Sequence, residues 1–197
     1  MKIWALVPSK GFTKGKSRLD TVLGAEGRGA LARSLLARVL GALADSGTVE
    51  GILVTTDDAE VAALARARGA EVCPDPEERR GLAAIVDAGL AELARRGAEA
   101  AVVCMGDLPR LDGDDVRALC EALADAELVI GPDRLEMGTN ALGVRPPDLT
   151  PTCFGNEDSF HRHRALAEAR GFATRVVRRE GIALDLDTPD DLNALER

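Results

Sequence analysis

The chain has 197 residues, with 33 acidic against 25 basic side chains and a formal net charge of −8. The length predicts one domain spanning residues 1–197, and 46% hydrophobic with 29% charged residues leaves a substantial core to bury, which excludes disordered, collagen-like and low-complexity classes. The acidic balance argues against nucleic-acid binding, because holding a phosphate backbone needs an excess of Lys and Arg.

The apolar stretches fall short of the roughly 18 residues that cross a bilayer, so no membrane association is expected. No basic segment followed by an apolar one marks a secretory signal. Four cysteines (Cys73, Cys104, Cys120 and Cys153) show no CxxC spacing, and buried thiols in a reducing cytoplasm are expected.

In chain order, Ile3–Val7 is an apolar run predicting a buried strand stopped by Pro8, followed by a polar loop to Ser17. Leu31, Leu35, Leu36, Val39, Leu40 and Leu43 recur at helical spacing within 29–44. Ile52–Thr55 is a second strand; Asp57 or Asp58 then caps a helix that Gly69 stops. Glu71–Cys73 is a short strand, 81–96 a long helix, and Ala100–Met105 a continuous apolar strand suited to the centre of a parallel sheet. A helix over 112–124, strands at 128–130 and 141–144 and a helix over 158–169 follow. Short strands at 175–177 and Ile182–Leu184 precede a terminal helix starting at Thr188. Strand–helix alternation through residue 130 implies parallel βαβ units in one α/β domain, with helices on both faces of the sheet. Ligands in such sheets bind at the carboxyl ends of the strands, which selects the loops to examine.

The first such loop runs Pro8-Ser-Lys-Gly-Phe-Thr-Lys-Gly-Lys-Ser-Arg-Leu19. All four lysines of the chain (Lys2, Lys10, Lys14 and Lys16) lie in its first sixteen residues, and elsewhere the long cationic side chains are Arg. A compact ammonium and a planar guanidinium do not interchange freely at a phosphate, so the cluster points to a phosphate site, with chance clustering as the alternative. Gly15-Lys16-Ser17 matches the end of a P-loop, but its leading glycine would fall at Lys10, and Gly11 is one residue too close.

Gly106-Asp107-Leu108-Pro109 follows the most apolar strand; Asp107 is placed as a Mg²⁺ ligand or as a turn cap. In Asp185-Leu-Asp187-Thr-Pro-Asp-Asp-Leu192 the first two carboxylates share one side of an extended segment and call for a cation between them. Thr188 or Asp187 could cap the last helix, with Pro189 at its first position. Gly138-Thr-Asn-Ala-Leu142 and Phe154-Gly155 to Ser159-Phe-His-Arg-His163 offer hydroxyls and glycine amides to a small anion, although Asp158 or Ser159 also suits a helix cap. His161 and His163, two apart, cannot share a helix face, which argues against zinc; no G-x-S-x-G elbow is present.

Together, V-P-x-K with K-S-R-L, then G-D-L-P, G-T-N-A-L, F-G with S-F and H, and finally D-L-D-T-P-D-D-L resemble the phospholactate/phosphoenolpyruvate guanylyltransferase family of coenzyme F-420 biosynthesis. The resemblance spans nearly the whole chain. It implies a single-domain nucleotidyltransferase fold, glycosyltransferase-A-like and Rossmann-like, with a mostly parallel central sheet. It also implies a reaction joining GTP to a phosphorylated three-carbon acid with loss of pyrophosphate. Under it, Pro8, Ser9, Lys10, Lys16, Arg18 and Gly81 would meet the nucleotide; Lys10, Lys16 and Asp107 would be catalytic. Asp107, Asp185 and Asp187 would hold Mg²⁺, Thr139, Gly155 and Ser159 would bind the acid, and the chain could pair as a homodimer. Two departures stand out. Relatives often show G-L-N-x-A where this chain has Gly81-Leu82-Ala83-Ala84, and the stretch from Gly155 to Ser159 is one residue longer than in some. Transfer of a sugar or cytidylyl group on the same fold, a P-loop kinase, and a non-catalytic nucleotide-binding regulator are the rival readings.

Overall fold

Alternate residues of a strand face opposite sides of its sheet, and in the first strand, β1 (Ile3–Pro8), both sides are apolar. Ala5 and Val7 enter one core and Leu6 the other. Strand β2 (Gly51–Thr55) divides in the same way, with Val54 on one side and Leu53 on the other. The short β3 (Glu71–Cys73) lies outside it, and β4 (Ala100–Cys104) is buried along its whole length. With β5 (Leu128–Pro132), β6 (Thr139–Val144) and β7 (Thr174–Val176), these strands form one sheet in the order β3-β2-β1-β4-β6-β5-β7. This is a computed structural model, and it describes residues 1–12, 16–76 and 81–195. Every pairing is parallel except those of β6, which runs antiparallel to β4 and β5.

Helices α1 (Ala25–Asp45), α2 (Ala59–Ala67), α3 (Leu82–Arg95), α4 (Gly113–Ala122) and α5 (Ser159–Arg170) cover the two faces. Leu36, Val39, Leu40 and Leu43 of α1 pack beside Val61 of α2 and Val116 of α4 on the Ala5–Val7 face. Val86, Leu90 and Leu93 of α3 and Phe160 of α5 pack on the Leu6 face. The i, i+3, i+4 spacing makes each helix one-sided, and burying each such leucine contributes on the order of 2 kcal/mol. Asp58, rather than Asp57, caps α2, its Oδ1 accepting from the N–H groups of Glu60 (2.9 Å) and Val61 (3.0 Å). Helix α1 starts at Ala25, ahead of its first buried leucine; this early turn carries Gly27 and Gly29, and an apolar period cannot mark it.

One expectation is corrected. Ile182–Leu184 is not a strand; Glu180–Ala183 forms a helical turn, α6. The buried residues Ile182, Leu184 and Leu186 alternate as a strand would. However, β5 is already flanked by β6 and β7, so it has no free edge to pair with. The carbonyls of 182 and 183 are taken instead by the Asn140 side chain (2.9 Å) and the Arg134 N–H (2.8 Å). Ile182 packs on Gly131 of β5, where any β-carbon would lie 2.8 Å from its methyl. The last helix, α7 (Pro189–Leu195), follows Thr188 as expected.

Because β6 alone is reversed, its amino end lies where the parallel strands have their carboxyl ends. Ala141 pairs with Cys104, and Thr55 with Pro8. The loops after Pro8, Cys73 and Cys104 therefore gather with Thr139 along one edge of the sheet. Among the described residues no helix is long and apolar enough to cross a membrane. The cysteines are free, and burial pushes the Cys104 thiol up to about 12, leaving it inert.

Candidate active site

Lys16 sits where the first loop rejoins the domain. Its backbone is left-handed (φ 61°), and its carbonyl accepts from the Leu19 N–H (2.9 Å), closing the turn Ser17–Leu19. Leu19 is fully buried against Leu35 and Leu186, which pins the turn to the C-terminal segment. The side chain runs inward, 7% exposed, and its Nζ donates to Asp107 Oδ2 at 2.8 Å and to Asp187 Oδ1 at 2.9 Å. Burial alone would lower the lysine's pKa, but the two carboxylates more than offset it and the net shift is upward. Side chains 91 and 171 positions away in sequence thus converge on one ammonium group.

The tail carboxylates reach this point through specific ties. The Leu186 N–H donates to the Asp107 carbonyl (3.2 Å), laying residues 185–187 beside the loop after β4. Asn140 donates to Asp185 Oδ1 (3.4 Å) and anchors itself on the Ile182 carbonyl. Asp191 Oδ2 accepts from the N–H groups of Asp187 (3.1 Å) and Thr188 (2.7 Å) and from the Thr188 hydroxyl, while Thr188 Oγ1 accepts from the Asp191 N–H. This reciprocal cap both starts α7 and holds Asp187 in place. Burial first, then the charge of Asp107 and more weakly that of Asp187, raise the Asp185 carboxyl to about 6. Among the described residues no three Asp, Glu, His or Cys side chains already surround a common metal position. Even so, the donor set fits a hard divalent cation. It is all carboxylate oxygen, burial first and the neighbouring negative charges second disfavour ionisation of Asp185, and it already attracts a cationic side chain.

The groups expected at the acid are placed differently from one another. Gly155 is exposed with φ 83°, and a β-carbon there would come 3.4 Å from that of Leu82, so this loop abuts the start of α3. Thr139 and Ser159 are buried, 5% and 3% exposed. The Thr139 N–H donates to Ser159 Oγ (3.0 Å), and Thr139 Oγ1 lies 3.0 Å from His163 Nδ1. The Cys153 N–H donates to His163 Nε2 (2.9 Å), so the neutral ring carries its proton on Nδ1 and donates to Thr139. His163 therefore ties the loop before Gly155 to the start of β6; sequence spacing argues only that it is no zinc ligand.

Burial lowers the His163 pKa from 6.5 to about 4. A base depressed in the folded state contributes stability that is complete above the unfolded value and is lost as pH falls from 6.5 toward 4. Between pH 7 and pH 5 the loss is about 2 kcal/mol. Denaturant midpoints at both pH values should show that difference shrinking in His163→Gln. Subtracting variant from wild type removes the opposite contribution of Asp185, whose raised value favours the native state as pH falls through 6. An unchanged pH dependence in the variant would contradict a buried neutral imidazole.

The strand-end loops enclose a cavity of about 340 Å³. Its polar lining is Ser9, Lys10, Lys16, Asp75, Asp107 and Asp187, beside Pro8 and Gly106, and its apolar lining is Phe12, Ala32, Leu82, Ile85 and Met105. Pro8, Ser9, Lys10, Lys16, Asp107 and Asp187 are thus brought together as expected. Gly81 lies just outside, with φ 96°, turning the chain into Leu82. Ala83 packs into the Leu6-side core. Arg18 is exposed on its turn and is not among the described lining residues. Lys14 and Gly15 fall outside the described residues, and with them the second glycine of the P-loop alternative. Asn140, Asp191, Asp75 and the apolar wall are the parts that motif reading does not find. Asp75 follows the third strand as Asp107 follows the fourth, and the strand-end rule applied to every strand would have located it.

Comparison with known proteins shows the family to which the chain belongs. The family profile described as "Guanylyl transferase CofC like" matches residues 2–196. A phosphoenolpyruvate guanylyltransferase from Sphaerobacter thermophilus is 39% identical over 191 residues, covering 97% of this chain and 91% of the relative. A 3-phospho-D-glycerate guanylyltransferase from Phenylobacterium zucineum is 36% identical over 190 residues, covering 95% and 86%. Among solved structures, a nucleotide-diphospho-sugar transferase from Desulfovibrio desulfuricans G20 superimposes with a TM-score of 0.84 at 20% identity, covering 100% of this chain and 87% of that one. At that identity the likeness speaks for the fold alone.

Proposed function

Since the chain belongs to the CofC-like guanylyl transferase family, we propose that it transfers the guanylyl group of GTP to the phosphate of a small phosphorylated acid in coenzyme F-420 assembly. The candidate acids are 2-phospho-L-lactate, phosphoenolpyruvate and 3-phosphoglycerate. The observation that carries the reading is the ammonium of Lys16, held between Asp107 and Asp187 in the wall of a strand-end cavity that polar and apolar side chains line together.

A phosphate monoester is already anionic near neutral pH, so the acid needs little help from a base. Its oxygen attacks the α-phosphorus of GTP, the bond from that phosphorus to the bridging oxygen breaks, and pyrophosphate leaves with the electron pair. The difficulty is bringing anions together. Lys10 and Lys16 line the cavity and would neutralise charge on the departing pyrophosphate. Pro8 and Ser9 would flank the phosphates, and exposed Arg18 would reach only their solvent side. Asp107, Asp185 and Asp187 would hold Mg²⁺, which when bound supplies positive charge against the triphosphate and the transition state. Gly81 and Leu82 would border the nucleoside. The acid would meet Gly155, where the absence of a side chain leaves room beside Leu82. Thr139 and Ser159 lie one layer beneath; their hydroxyls would reach the acid only by exchanging present partners.

Pyrophosphate release is the test, with GTP, ATP, CTP and UTP each offered with each of the three acids and the product identified by mass. GTP with at least one acid should give pyrophosphate and a diphosphate-linked product. Saturable GTP binding without pyrophosphate from any acid would leave a regulatory binding protein instead.

A further inference from the structure

We infer that Asp75 is the specificity-determining residue for guanine, its carboxylate accepting from the N1–H and 2-amino groups of the base. The inference rests on a nucleotide occupying the strand-end cavity, as proposed above. Asp75 lies two residues past β3, in the wall of the cavity that Leu82 and Ile85 also line. Its Oδ1 is buried and has no hydrogen-bond partner among the described residues. A buried acceptor left unpaired is costly, and native structures keep few of them unless a ligand supplies the donor. The backbone is held for this role, since the Asp75 N–H donates to Asp57 Oδ1 at 2.9 Å. Burial first, then the Asp57 charge, raise the carboxyl's pKa, while Lys10 lowers it, the pattern of a carboxylate short of donors.

Position and chemistry agree. Between Asp75 after β3 and Asp107 after β4 lie β2 and β1. That is three strand spacings, or roughly 14 Å, the reach of an extended nucleotide from base to phosphates. Leu82 and Ile85 supply an apolar surface for the base plane. Of the four common bases only guanine presents two adjacent donors, matching the two oxygens of one carboxylate. Adenine and cytosine would set a ring-nitrogen lone pair against it, and uracil would set carbonyl oxygens on either side of its single N–H. A site built to accept hydrogen bonds discriminates strongly against a base that cannot donate them.

The test measures kcat and KM with GTP, ITP and XTP for the wild type and for Asp75→Asn. ITP lacks the 2-amino donor, and XTP carries a carbonyl oxygen in its place. Wild type should raise KM for ITP by roughly 10–100-fold with kcat little changed, and should use XTP worst. In Asp75→Asn the amide's NH₂ can meet the XTP carbonyl while its oxygen still accepts from N1–H. Its kcat/KM for GTP should fall on the order of 10²-fold and that for XTP should rise above wild type. A purely structural role for Asp75 would lower both alike. If wild type turns over GTP but treats ITP as its equal, or if Asp75→Asn keeps normal GTP turnover, the assignment is overturned while the transfer reaction stands. If wild type releases no pyrophosphate from GTP, the reaction itself has failed. The wild-type comparison needs no variant, so a poorly folding Asp75→Asn does not spare the inference.

Discussion

Asp107→Asn should reduce kcat by about 10³-fold or more while the protein stays folded. The change is isosteric and lies at a loop, so the sheet and its two cores are untouched. It removes the negative charge that holds the Lys16 ammonium at 2.8 Å, and it removes one oxygen from the set proposed for the cation. It also removes the larger of the two charge contributions to the raised Asp185 carboxyl, whose pKa should fall back toward its ordinary range. The loss should sit in kcat rather than in GTP affinity, as expected when an interaction is made mainly in the transition state. Steady-state kinetics across a Mg²⁺ titration checks this. Undiminished turnover at every Mg²⁺ concentration would remove Asp107 from the chemistry.

Lys16→Ala should cost on the order of 10²–10³-fold in rate, the scale of losing one preorganised donor at a developing charge. Lys16→Arg should not restore it. The ammonium meets two carboxylates at 2.8 and 2.9 Å from a side chain that is 7% exposed, and a planar guanidinium there would displace one of them. Lys16→Ala also leaves Asp107 and Asp187 without their shared counter-charge. The raised Lys16 pKa means that the pairing contributes its full stability below the ordinary lysine value of 10.5 and loses it as pH rises through the folded value. Wild type should therefore destabilise at strongly alkaline pH more steeply than Lys16→Ala in thermal melts. Normal turnover in the alanine variant would take the lysine out of the mechanism.

Much of this could be read from the chain because the physics is local. Ile3–Val7 and Ala100–Met105 are apolar on both strand faces, which only a covered parallel strand requires, and Leu36, Val39, Leu40 and Leu43 mark one side of a helix. Gly-Asp after β4 announces a carboxylate at a strand end, and the paired aspartates before α7 announce two more in an extended segment. What escaped depends on the third dimension. Ile182 and Leu184 alternate like a strand, and only the sheet order shows that β5 has no free edge. Asn140 and Asp191 act through hydrogen bonds to Asp185 and Asp187, and their partners cannot be assigned before the tail is placed. Thr139 and Ser159 look like ligand hydroxyls by composition, but the reversed direction of β6 and the start of α5 at Ser159 bring them together with His163.

The central claim is that the α-phosphorus of a nucleotide lying between the lysine-bearing loop and the strand-end aspartates moves to the acid. Parallel reactions with GTP labelled at the α- or the γ-phosphorus test it most directly. The α-label should appear in the acid product and the γ-label in pyrophosphate. A γ-label in the acid product, with nucleoside diphosphate released, would contradict it.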